Sequence, residues 1–138
     1  MIVLGLAGRP GSGQDFAAHY LMSQYGFATF VYPPWFRGAG AGAPWVTLNL
    51  TALAIARALA MPGIAGEVPD AESASWVRTA GGRLWFLHAP GQPPSASGII
   101  PSGDDRGLLH DGDRAELASR IDRLLEEIAA EVRDAPGI

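Results

Sequence analysis

The junction that constrains this chain most lies close to its first residue. Residues 2–7 are apolar without interruption (Ile2, Val3, Leu4, Gly5, Leu6, Ala7), and a glycine-rich segment follows at once: Gly8-Arg9-Pro10-Gly11-Ser12-Gly13. A strand that is apolar without alternation is buried on both faces, as in a parallel sheet covered by helices. The glycine segment suits neither helix nor strand. Residues 14–25 then read as a helix, with Ala17, Ala18, Tyr20 and Leu21 along it and Gly26 stopping it. Residues 27–32 read as the next strand, closed by Pro33-Pro34. Strand, loop, helix and strand in that order make a βαβ unit.

The alternation continues. Residues 64–68 read as a strand, 72–80 as a helix ended by Gly81-Gly82, 83–88 as a strand, and 108–110 as a short fifth strand. A loop rich in Pro, Ser and Gly fills 89–107. Asp113 caps the last helix, with Glu116 three residues on, and Leu117, Ile121, Leu124, Leu125, Ile128 and Val132 form its apolar stripe. The expectation is a three-layer α/β domain over 1–138, with about five parallel strands and helices on both faces. Ligands in such sheets sit beyond the carboxyl ends of the strands, where the first glycine loop falls.

Composition narrows the function. A net charge of −4 argues against a nucleic-acid-binding surface. With no cysteine, disulfides, thiolate metal sites and cysteine nucleophiles are excluded. All 10 basic residues are arginines, so Schiff-base chemistry and a phosphate-binding lysine are excluded too. No run is long and apolar enough for a membrane span, and residues 2–7 are too short for a signal peptide. The expected location is cytoplasmic, or virion-associated for a phage-encoded chain.

Residues 8–15 have the frame of a phosphate-binding loop, which is Gly, four residues, Gly, Lys and a hydroxyl residue, between a strand and a helix. Gly8 and Gly13 are in place. Backbone N–H groups of Gly8, Arg9, Gly11, Ser12 and Gly13, with the helix N-terminus, suit an anion. A dinucleotide fingerprint fits worse, because Gly8, Gly11 and Gly13 do not give G-x-G-x-x-G. Gln14 stands where the lysine belongs, and Asp15 where the hydroxyl does. A charged hydrogen bond is worth about 1.5–3 kcal/mol against about 1 for a neutral one, so the loop has lost its strongest anion contact.

With these departures, the sequence resembles the P-loop nucleoside-monophosphate kinases, in particular the deoxynucleoside monophosphate kinases of phages and bacteria. Residues 6–15 resemble that family's opening, in which Gly-Lys-Asp-Thr is common. Gly66-Glu67-Val68-Pro69, the stretch from Trp76 to Trp85, and His88-Ala89-Pro90-Gly91 resemble its middle segment. Leu109-His110-Asp111-Gly112, followed by Leu117, resembles its last motif. The resemblance implies Mg-ATP and a dNMP as ligands, with Asp15 and Glu67 as the carboxylates serving magnesium. The charges are what is missing. Gln14 replaces the lysine, Phe16 the hydroxyl, Pro69 an arginine, and Ala89 the arginine of Arg-Pro-Gly. The chain is also short where such kinases place their monophosphate-binding helices, between Tyr32 and Ile64.

The reading is therefore a degenerate relative of these kinases. It would be non-catalytic, would require no cofactor, and would serve as a protein-binding or assembly component with residual phosphate binding at residues 8–15. The binding surface is expected over 35–60, a helix over 45–60 preceded by a flexible Gly/Ala linker over 37–44. Trp35, Phe36, Trp45 and Leu48 would contact a protein partner or a second copy. One alternative is an atypical active kinase using ATP and Mg, with Arg9 or Arg106 replacing the lysine. Another is a nucleotide sensor without turnover. His19, His88 and His110 lack metal-site spacing, Asp104-Asp105 and Glu126-Glu127 read as solvated pairs, and Ser12 has no identifiable base.

Overall fold

A computed structural model describes residues 2–9, 12–30, 58–68, 71–93, 98–103 and 105–134. In chain order the elements are β1 (Ile2–Gly8), α1 (Gln14–Tyr25), β2 (Ala28–Phe30), β3 (Gly63–Glu67), α2 (Ala71–Thr79), β4 (Arg83–His88), β5 (Arg106–Leu109) and α3 (Arg114–Asp134). The five strands form one sheet in the order β2-β3-β1-β4-β5, and every pairing is parallel. The parallel α/β architecture expected from the sequence is the one observed.

The uninterrupted apolar run of β1 is explained by its place in the middle of the sheet. Leu4 and Leu6 face one side, where they meet Ala17, Ala18 and Leu21 of α1 and Leu117, Ile121, Leu125 and Ile128 of α3. Val3 and Ala7 face the other side, against Ala74 and Val77 of α2. Strand β4 divides the same way: Trp85 and Leu87 join the first core, Leu84 and Phe86 the second. Fully burying one such side chain contributes about 1.5–3 kcal/mol. The two cores are what hold three layers together.

Local signals fix the element ends. Helix α1 closes at Gly26, whose N–H donates to the Met22 carbonyl, while the Phe27 N–H reaches back to Leu21. At the start of α3, the Glu116 N–H donates to Asp113 Oδ1 at 3.2 Å, the forward half of the expected capping box. The reciprocal half is replaced: the Asp113 N–H donates instead to Asp111 Oδ1 at 3.0 Å. Four of the six expected stripe residues of α3 are buried in the first core, and Leu124 packs against it.

Strand β1 gains Gly8, β3 spans Gly63–Glu67 rather than 64–68, and both edge strands differ from expectation as well. The strand expected over 27–32 begins at Ala28, because Phe27 is used in closing α1 and its ring is buried in the core. The strand expected over 108–110 begins earlier, at Arg106, which pairs with Trp85, and it ends at Leu109. Most of the 35–60 segment, including Trp35, Phe36, Trp45, Leu48 and the 37–44 linker, lies outside the described residues. Among the described residues no helix is long and apolar enough to cross a membrane.

Candidate functional site

Strand order directs attention to one crevice. From β1 the chain leads through α1 to β2 at one edge of the sheet, and from the adjacent β4 it leads to β5 at the other edge. Connections that diverge from neighbouring parallel strands leave a crevice beyond their carboxyl ends. The glycine loop after β1 stands at that crevice.

The loop needs its glycines. Gly8 has φ +138°, and a methyl group there would come within 2.5 Å of the Leu87 carbonyl oxygen of β4. Gly13 caps α1 with φ +106°, and a methyl group there would lie 2.9 Å from His110 Cδ2. Side chains rarely adopt either conformation. The Ser12 N–H donates to the Arg9 carbonyl at 3.1 Å, which curls the loop, and the Ala17 N–H donates to Gly13 O at 3.0 Å as α1 begins. Arg9 and Asp15 are exposed, and Ser12 is half-buried. Pro10 and Gly11 lie outside the described residues.

Gln14 turns inward. It is 3% exposed, and its Nε2 donates to the Arg9 carbonyl oxygen at 3.0 Å. The side chain in the lysine position thus ties the loop to the first turn of α1 as a neutral internal strut.

His110 forms the far wall. Its N–H donates to the His88 carbonyl at 2.9 Å, which extends the β4–β5 pairing past Leu109. Its ring lies on Gly13, and its Nδ1 is buried without a hydrogen-bond partner. His88 Nδ1 is 3.0 Å from the Gln92 carbonyl oxygen. Arg120 on α3 steadies this end of β5 by donating to the Leu109 carbonyl at 2.9 Å. It also lies within ion-pair reach of Asp111 and Glu116, at 3.8 and 3.6 Å. The backbone N–H of Asp113 holds the Asp111 carboxyl below the usual carboxylate range, with a smaller contribution from Arg120.

The two candidate magnesium carboxylates sit in unlike environments. Asp15 is exposed in the first turn of α1. Glu67, at the carboxyl end of β3, is 4% exposed and already has a polar or electrostatic interaction. Among the described residues no three His, Asp or Glu side chains gather to hold a metal ion. Magnesium usually takes one or two carboxylates plus substrate phosphates, so Asp15 and Glu67 suit only an ion carried in with a nucleotide.

The arginines correct one expectation. Arg106, expected in a loop and able to reach a phosphate, lies in β5. Its Nε is 3.3 Å from Glu127, and its Nη1 donates to the carbonyls of Gly103 and Asp105. Glycine and serine neighbours suggested a loop, but pairing with β4 overrides them. Arg78 is engaged by Asp105 at 2.6 Å, and Arg83 by Glu131. Sequence reasoning missed Arg114, whose guanidinium lies 5.7 Å from the centroid of the Phe16 ring in the first turn of α1. The available signal was its position: a cation at a helix N-terminus is disfavoured by the helix dipole, so another partner should hold it.

No known protein family matches the chain, and no curated protein matches it significantly. Among solved structures it is similar to a sugar kinase from Janibacter sp. HTCC2649, crystallised without ligand. The TM-score is 0.61 at 13% identity, covering 94% of this chain and 97% of that one. At that identity the likeness shows the fold alone. The chain shares the α/β fold of that structure.

Proposed function

We propose that this chain is a degenerate relative of the deoxynucleoside monophosphate kinases. It holds a phosphate-bearing ligand at the glycine loop without transferring a phosphoryl group, and it serves as a protein-binding or assembly component. The observation that carries this reading is the Gln14–Arg9 bond. Phosphoryl transfer depends on positioning and on neutralising charge at the transferred group. Here the residue placed for neutralisation is uncharged, buried and spent on the loop's own backbone. The loop's curl, the positive φ of Gly8 and Gly13, and the start of α1 still suit an anion. The part played by Trp35, Phe36, Trp45 and Leu48 in binding a partner rests on sequence.

The test is calorimetric titration with Mg-ATP and with each dNMP, followed by a coupled turnover assay. The expected result is weak binding of the triphosphate with no turnover. In Gln14→Lys, a charged donor replaces a neutral one, and binding should tighten about 3- to 30-fold. Turnover by the unaltered chain overturns the reading. Absence of binding in both chains removes the ligand part of it.

A further inference from the structure

We propose that Arg114 supplies the glycine loop with the positive charge that Gln14 lacks, and that Phe16 holds its guanidinium in place. The inference rests on the loop as a site for phosphate-bearing ligands and names the residue that would contact the anion.

Placement comes first. The segment leading into α3 lies against the loop, with the His110 ring on Gly13. Four residues later Arg114 reaches across to Phe16, two residues past Gln14. Its guanidinium thus lies beside a ring of the first turn of α1, the turn whose free N–H groups and dipole favour an anion.

Pre-organisation is the second argument. A cation over an aromatic face within about 6 Å is attracted by the ring quadrupole. That ring is itself fixed. Phe16 is partly buried against the first core and stacks on Tyr20 at 6.2 Å, and the Tyr20 hydroxyl donates to Asp122 at 2.8 Å. The guanidinium therefore rests on a platform anchored to α3.

Availability is the third. Among the described arginines, Arg78, Arg83, Arg106 and Arg120 all bond to carboxylates or carbonyls, whereas Arg9 in the loop, Arg123 further along α3 and Arg114 do not. The acids nearest in sequence are committed elsewhere: Asp111 and Glu116 to Arg120, and Asp113 to the Glu116 N–H. A ring face takes up no N–H donor in a bond to an acid, so the planar fork of Arg114 is left for a phosphate.

The test titrates the full chain with sodium tripolyphosphate and with Mg-ATP by calorimetry. The proteins are the unaltered chain, Arg114→Gln, Phe16→Leu, Gln14→Lys, and Arg123→Gln as an exposed control further along α3. Thermal melts confirm that each is folded. Arg114→Gln should weaken tripolyphosphate binding about 5- to 20-fold, and Phe16→Leu about 2- to 5-fold. Arg123→Gln should leave it unchanged. If the unaltered chain binds and Arg114→Gln binds equally well, this inference is wrong while the phosphate-site reading stands. If only Gln14→Lys binds, the pocket exists but Arg114 does not charge it, and the inference again fails. If none binds, both fall. An effect of Arg114→Gln without one of Phe16→Leu overturns the holding role of the ring.

Discussion

The side-chain amide of Gln14 donates to the carbonyl oxygen of Arg9 at 3.0 Å, across the loop that joins β1 to α1. The loop is thereby braced by the residue that follows it. Replacement by leucine keeps the apolar bulk but leaves that carbonyl without the donor. Gln14→Leu should lower stability by about 1 kcal/mol in urea unfolding, the usual net worth of one hydrogen bond. A change within error would mean that water replaces the amide there and the strut has no structural role.

Gly13 and His110 meet at the site, and a double-mutant cycle measures their contact. Gly13→Ala should cost about 1–3 kcal/mol for the positive φ, plus the clash of the new methyl with His110 Cδ2. In the His110→Ala background the clash disappears and only the backbone strain remains. A coupling of about 0.5–3 kcal/mol is expected, and additivity would show that the imidazole does not press on the loop.

Tyr20 and Tyr25 of α1 donate to the same oxygen, Asp122 Oδ1, at 2.8 and 2.5 Å. Both phenols are raised above the ordinary tyrosine value of 10.0. For Tyr20 the bond to Asp122 is the main cause, and for Tyr25 it is burial. Above pH 10 the unfolded chain loses these protons while the folded chain keeps them, so stability is fully present below pH 10 and declines as pH rises beyond it. Denaturant melts at pH 8 to 11 should show that decline. The Tyr20→Phe/Tyr25→Phe variant should show a shallower one, and an equally steep one would assign the alkaline loss to other groups.

Asp105 and Glu127 provide a contrast between ion pairs. The Asp105 side chain is 6% exposed and accepts from both Arg78 and the Ser102 N–H, whereas Glu127 is 49% exposed opposite Arg106. Asp105→Ala should destabilise by about 1.5–3 kcal/mol, because it removes two bonds to a largely buried carboxylate. Glu127→Ala should stay within about 0.5 kcal/mol. Similar losses for the two would contradict the role assigned to burial.

Legibility in the sequence followed burial and glycine. Helix α1 was expected over 14–25 and spans Gln14–Tyr25, because Gly13 and Gly26 mark both ends. Strand β4 was expected over 83–88 and spans Arg83–His88, its centre buried on both faces. The inner strand β3 was displaced by a single residue, and the short strands at the two edges, β2 and β5, each with one neighbour, were misplaced too. Edge residues such as Arg106 and Gly107 carry little strand signal of their own, and pairing with Trp85 and Phe86 decides them.

At the site, Gly8 and Gly13 were readable because a backbone demand shows directly as glycine. The inward turn of Gln14 was not, since a glutamine in a lysine position reads only as a missing charge. The His110–Gly13 and Arg114–Phe16 contacts join residues far apart in the chain, and no local pattern names the partner of either. They become visible only when parallel pairing brings the carboxyl ends of β1, β4 and β5 to one edge.

The central place of β1 has a consequence for biosynthesis. Ile2 pairs with Gly63, and Leu4 with Arg83, so neither flank of the first strand has a partner until those residues exist. At translation speeds of about 5–20 residues per second, this apolar segment waits roughly 3–12 s for its first neighbour. During that interval α1 is the nearest cover available to it on the nascent chain. The helix that presents the glycine loop in the finished fold thus doubles as a shield for a strand made well before its partners.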